Sequence, residues 1–122
     1  MDLTSARVAL AAALSTVSGV TVVARPGRVT SNARDGWVTL SKLAPSAFFD
    51  RQAATLSAVV VLGADEVMAE ELLDTLAPAL LDAAVSSVLA PADVFLNPQL
   101  LVTGTTSAPL YALVLTLTIE VE

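Results

Sequence analysis

The clearest pattern in the chain is the alternation of apolar and mostly polar residues from Leu110 to Glu122. A period of two residues predicts a β-strand with two distinct faces. One face would carry Tyr111, Leu113, Leu115, Leu117, Ile119 and Val121, and the other Ala112, Val114, Thr116, Thr118, Glu120 and Glu122. Because Ala112 and Val114 point away from the first face, we expect them to lie under a helix or at a subunit boundary.

A helical period precedes this strand in two places. Residues 3–17 place Leu3, Leu10, Leu14 and Val17 on one side of a first helix, which Asp2 or Thr4 can cap and Gly19 can end.

The second predicted helix runs from Asp65 to about Leu89, with Pro91 marking its end. Its buried stripe would consist of Leu72, Leu73, Leu76 and Leu80. Pro78 falls inside it, so we expect a kinked or divided helix.

The remaining strands are shorter or less regular. Residues 20–25 predict a strand, residues 37–43 its return strand, and residues 94–103 a strand interrupted near Pro98. Residues 55–62 are rich in β-branched side chains, which favours a central strand covered on both faces. Phe48 and Phe49 would anchor the connection between the second and third strands.

Together these elements predict one α+β domain over residues 1–122, in the order α-β-β-β-α-β-β. We expect a mixed, mainly antiparallel sheet packed by two helices.

The composition changes this picture by suggesting an incomplete surface. Hydrophobic residues make up 55% of the chain and charged residues only 15%, against usual values of about 45–50% and about 25%. Because so few charged residues cannot cover the surface of a small domain, we expect some apolar surface to meet a partner. No apolar run is long enough to predict a membrane-spanning helix.

Charge is distributed unevenly along the sequence. All six basic residues lie within the first 51 positions, whereas nine of the twelve acids follow them. The net charge of −6 argues against non-specific nucleic-acid binding. The asymmetry predicts a subunit or partner interface between arginines of the 25–36 loop and acids of the second helix, namely Arg25, Arg28, Arg34, Glu70, Glu71 and Asp74.

Candidate chemistry is sparse. The chain has no histidine and no cysteine, which removes the usual base and nucleophile pairs and any thiolate metal site. Glu70 and Asp74 could form half of a metal site or an acid/base pair, but a solvated helix face is the favoured interpretation. Gly63 precedes a helix, yet Asp65 and Glu66 occupy the place where a phosphate would bind. We therefore expect no enzyme activity and no cofactor.

The arrangement as a whole resembles a known family. The alanine-rich start "SARVALAAALSTV", then "GVTVVARPGRV", the strand "ATLSAVVVLG", the acidic helix "ADEVMAEELLDTLAPALLDAA" and the closing strand "PLYALVLTLTIEVE" resemble the tail-terminator (tail-completion) proteins of long-tailed bacteriophages. The resemblance covers nearly the full chain and rests on arrangement, because the family has no short diagnostic motif.

The resemblance implies a structural role in the virion. Such proteins form a ring, expected here to be a hexamer, at the head-proximal end of the tail. The ring stops growth of the tail-tube protein, meets the head connector proteins and lets DNA pass through without specific binding. A head-completion or connector neck protein and a small oligomeric ligand-binding α+β module are the alternative interpretations.

Overall fold

The computed structural model describes residues 1–25, 33–46, 50–89, 91, 93–101 and 110–122. Its elements are α1 (Leu3–Leu14), β1 (Thr21–Val23), β2 (Asp35–Pro45), β3 (Gln52–Gly63), α2 (Glu66–Val85), β4 (Asp93–Leu101) and β5 (Leu110–Val121). The predicted α+β class and order of elements are confirmed, with two helices and a mixed five-stranded sheet in the described part of the chain.

The strands lie side by side in the order β1-β2-β3-β5-β4. β3 occupies the centre and pairs antiparallel with β2 and β5, and β4 pairs antiparallel with β5. The prediction that β2 returns against β1 is wrong, because the two strands run parallel. A connection as long as residues 24–34 permits either direction, and its turn-forming residues do not choose between them.

Gly36 allows β2 to approach β3 closely. A Cβ atom at this position would lie only 2.3 Å from the carbonyl oxygen of Val59. Gly36 also pairs with Val22 of β1 and Val60 of β3, so any side chain would push the backbone of three strands apart.

Both helices begin with an aspartate cap. The Asp2 carboxylate accepts a hydrogen bond from the Ser5 amide at 2.7 Å, and the Asp65 carboxylate accepts one from the Met68 amide at 3.0 Å. Each bond satisfies a backbone donor that the first helical turn leaves free.

Neither proline inside an element breaks it. α2 continues through Pro78, so the helix is not divided there. Pro78 and Asp74 are exposed, and water can therefore reach the carbonyl that proline leaves without a partner. β4 likewise continues through Pro98, which pairs with Leu113, so the predicted interruption is wrong. A strand at the edge of a sheet tolerates proline because one side needs no partner.

Both helices lie on the same face of the sheet, which we name the helix-covered face. The predicted inner face of β5 is confirmed, since Leu113, Leu115, Leu117, Ile119 and Val121 are all buried. They join one hydrophobic core with both helices and the inward residues of the other strands, including Leu10, Leu14, Val38, Leu56, Val60, Leu76 and Leu80. The described residues therefore form two layers, and none of their helices lies on the opposite face of the sheet, which we name the helix-free face.

Candidate subunit interface

The helix-free face of the sheet carries its own apolar residues. Strand register places Val23, Trp37, Val59 and Val114 in one row across four strands, and Val61 beside Ala112 in the next. Val59, Val61, Leu110 and Ala112 are buried but do not belong to the core under the helices. Within these rows, the apolar side chains that keep contact with solvent are Val23, which is exposed, and Trp37 and Val114, which are half-buried.

Hydroxyl side chains fill the middle of the same face. Ser57 is buried in β3, and its hydroxyl lies 2.5 Å from the hydroxyl of Ser41 on β2 and 3.5 Å from that of Thr116 on β5. Thr55 and Thr118 form a parallel pair at 3.2 Å. No buried side-chain nitrogen or oxygen lacks a partner in the described chain. The hydroxyls therefore satisfy one another and need no partner from outside the chain.

The two ends of the sheet differ in charge. The β1 end consists of Val23 and Arg25, which follow α1 in the chain, and Val23 is 49% exposed. The β4 end consists of Phe95 and Leu100 on β4, which are 46% and 53% exposed. Arg25 supplies a positive charge at the β1 end, and Asp93, the exposed first residue of β4, supplies a negative charge at the β4 end.

Arg25 lies at the β1 end. Its guanidinium donates a hydrogen bond of 3.3 Å to the Thr4 hydroxyl at the start of α1, and the side chain is exposed. It contacts none of the predicted acids in the described chain, where the only ion pairs are Met1 with Glu122 and Arg51 with Glu120.

Arg34 lies apart from Arg25, at the other end of β1. Its amide donates to the Val61 carbonyl at 2.7 Å, and its carbonyl accepts from the Thr21 amide at 3.0 Å. The backbone of Arg34 thereby bridges β1 and β3, with a left-handed φ of 71° that costs free energy in a residue with a side chain.

Glu71 shares a surface cavity with Arg34. Met68, Leu72 and Thr75 of α2 complete much of its wall. The two side chains form no ion pair within 4.0 Å, but they are the predicted opposite charges that the fold brings into one neighbourhood.

Glu70 and Asp74 lie on another flank of α2. Ala79 and Ala83 line the groove that α2 shares with α1. Glu70 is nine residues before Ala79, and Asp74 is nine residues before Ala83. Because nine residues amount to two and a half helical turns, each acid lies on the side of α2 opposite to its alanine and therefore away from α1. Since α1 packs near β1 while α2 contacts β3, β5 and β4, Glu70 and Asp74 point toward the β4 end.

The structure therefore separates the predicted interface residues into three groups. Arg34 and Glu71 share a cavity, Arg25 lies at the β1 end, and Glu70 and Asp74 lie near the β4 end. Arg28 falls outside the described residues, as do Phe48 and Phe49.

Composition indicated an apolar surface but did not locate it. Val23, Trp37 and Phe95 were not predicted as interface residues, although all three lie on the helix-free face. The only available signal was the second face of β5, where Ala112 and Val114 interrupt a polar series.

The described residues offer little for ligand chemistry. They contain no group of three or more acids that could hold a metal ion. At the turn that resembles a phosphate loop, Gly63 has a φ of 122° and the Asp65 carboxylate occupies the helix N-terminus. Neither described helix is long and apolar enough to cross a bilayer.

No protein-family model matches the chain, and no curated protein is significantly similar to it in sequence.

Proposed function

We propose that this chain is a structural subunit that associates with copies of itself into a ring and acts as a tail terminator of a long-tailed bacteriophage. In this role the ring caps the finished tail tube, ends its polymerisation and joins the tail to the head connector. The subunit would then reside in the virion, at the head-proximal end of the tail.

The observation that carries the self-assembly is the helix-free face. Val23 on this face is exposed, and Trp37 and Val114 beside it are only half-buried. Burying exposed apolar area contributes roughly 25 cal/mol per Å², so a partner on this face stabilises the sheet.

The tail-terminator role itself rests on the sequence resemblance, together with the order of elements and the terminal strand. The unequal charge of the two ends agrees with it, since a ring of identical subunits needs two unlike surfaces on each one. The net charge of −6 suits a hole through which DNA slides without adhering.

Self-assembly is tested by light scattering after size exclusion and by electron microscopy of negatively stained protein. The expected result is annular particles with the mass of six subunits. Phe95→Asp should reduce the mass of the particles, because it replaces an exposed apolar side chain at the β4 end with a charge. Val88→Asp is the matched control, since Val88 is 81% exposed and follows α2. A monomer at high concentration in the presence of tail tubes would contradict the proposal.

The tail-specific part needs a separate assay. The labelled protein is added to a tail-tube protein as it polymerises. Electron microscopy then gives the lengths of the tubes and the position of the label on each tube. A terminator shortens the tubes and labels one end. Label at the head portal without an effect on tube length would instead support the neck-protein alternative.

A further inference from the structure

Neither edge of the sheet is suited to continuous strand pairing between copies. β1 pairs over only three residues, and β4 carries Pro98 near its middle, where an outer edge lacks a donor. Copies of the chain therefore have to meet through side chains at the ends and faces of the sheet.

The two ends are complementary. The β1 end has the exposed Val23 beside Arg25, whose guanidinium has no carboxylate partner in the described chain. The β4 end has Phe95 on the helix-free face and Leu100 on the helix-covered face, and Glu70 and Asp74 lie on the side of α2 away from α1. The same two acids likewise have no cationic partner among the described residues.

The ends also lie on opposite sides of the domain. They lie on the two edge strands of the order β1-β2-β3-β5-β4, and adjacent strands are about 4.8 Å apart, so the sheet is roughly 19 Å wide. A contact between unlike surfaces on opposite sides repeats from copy to copy and closes into a ring if the rotation allows.

We infer that copies of this chain associate head to tail, with Arg25 and Val23 at the β1 end of one copy docked against Glu70, Asp74 and the β4 end of the next. The occupant of each end is therefore a second copy of the chain. This inference rests on the proposed self-assembly and names the surfaces that form it. Arg34 and Glu71 are left out of the contact because they already share a cavity within one subunit.

The experiment uses charge reversal in the full chain. Arg25→Glu in one variant, and Glu70→Arg with Asp74→Arg in another, should each weaken self-association about tenfold or more, since attraction becomes repulsion. Glu71→Arg with Asp82→Arg is the matched control on α2, because it changes the same charge on a different flank. Circular dichroism confirms that each variant is folded.

Mixing the two reversed variants provides the decisive result. Each β1 end then meets a β4 end of opposite charge, so the mixture should recover the wild-type mass as particles of alternating subunits. Reversals that leave the mass unchanged, equal loss in the control, or no recovery on mixing would overturn the inference. If these variants behave as expected but wild-type rings do not shorten tail tubes, the docking stands and the tail-terminator role fails.

Discussion

The two faces of the sheet have different partners. On the helix-covered face, Leu56, Leu115 and Leu117 are fully or almost fully buried beneath α1 and α2. On the helix-free face, Trp37, Thr39, Val114 and Thr116 are half-buried, although they stand on the same strands. The helix-covered face is therefore fully buried by the chain itself, whereas on the other face Val59 and Val61 are buried but Trp37 and Val114 keep part of their surface in solvent.

This difference separates folding from assembly. Changes on the helix-covered face act on the free energy of unfolding of each subunit, because the lost contacts are internal. Changes to the half-buried Trp37 and Val114 of the other face act mainly on association, because those side chains keep part of their surface in water until a partner arrives.

Truncating one residue on each face of β5 gives the largest contrast. Leu117→Ala should lower the free energy of unfolding by about 2–5 kcal/mol, since it leaves a cavity under the helices. Val114→Ala should lower it by only about 1 kcal/mol but should weaken association. Urea unfolding of dilute protein and sedimentation at high concentration measure the two effects. Equal losses of stability would show that the chain itself covers both faces.

A smaller effect is expected from the hydroxyl network on the helix-free face. Ser57→Ala removes the group bonded to Ser41 and lying near Thr116, which should cost about 1–2 kcal/mol because Ser57 is buried. Thr55→Val is the control, since Thr55 belongs to a half-buried pair whose groups can turn to water. Denaturant midpoints distinguish them, and a larger loss in Thr55→Val would contradict a buried network.

The smallest effect concerns the N-terminal cap of α1, one of the two helices on the helix-covered face. The Ser5 backbone amide, followed by the Ser5 side chain, lowers the pKa of Asp2 below its ordinary value of 3.8. A carboxyl group with a lowered pKa stabilises the fold fully above its unfolded pKa and loses that contribution as pH falls through the folded value. Asp2→Asn keeps a capping oxygen that does not titrate.

The melting temperature of wild type relative to Asp2→Asn should therefore fall slightly as the solution is acidified below pH 3.8. Other carboxylates titrate in both proteins, so the difference isolates Asp2. A difference that stays constant with pH would show that the cap carries no charge effect.

Local patterns predicted most of the fold. The alternation in β5 and the β-branched run in β3 depend on neighbours in sequence, and both predictions are confirmed. The leucine stripe of α2 is confirmed in part, since Leu76 and Leu80 are buried while Leu72 and Leu73 are only partly buried against the core. The direction of β2 relative to β1 was missed because strand pairing depends on distant residues. Pro98 was misjudged because its tolerance depends on β4 lying at an edge, which the sequence does not show.

The candidate site was predicted less well. Net charge and its asymmetry are visible in sequence, so the arginines and acids could be proposed as opposing groups. The separation of these residues into three groups could not be predicted from sequence. The left-handed backbone of Arg34, just before β2, places this residue in the wall of the cavity that Glu71 also lines, whereas Arg25 lies at the opposite end of β1. Trp37 and Phe95 were missed since only strand register places them on one face.

The close approach at Gly36 has a consequence for how this sequence can vary. With the Val59 carbonyl oxygen 2.3 Å from the place of any added carbon, position 36 offers no tolerated replacement, whatever its polarity or helix preference. In a saturation library selected for soluble protein, this site would serve as an internal reference: glycine alone would survive there, and the depletion of every other amino acid would define the lower limit of the fitness scale.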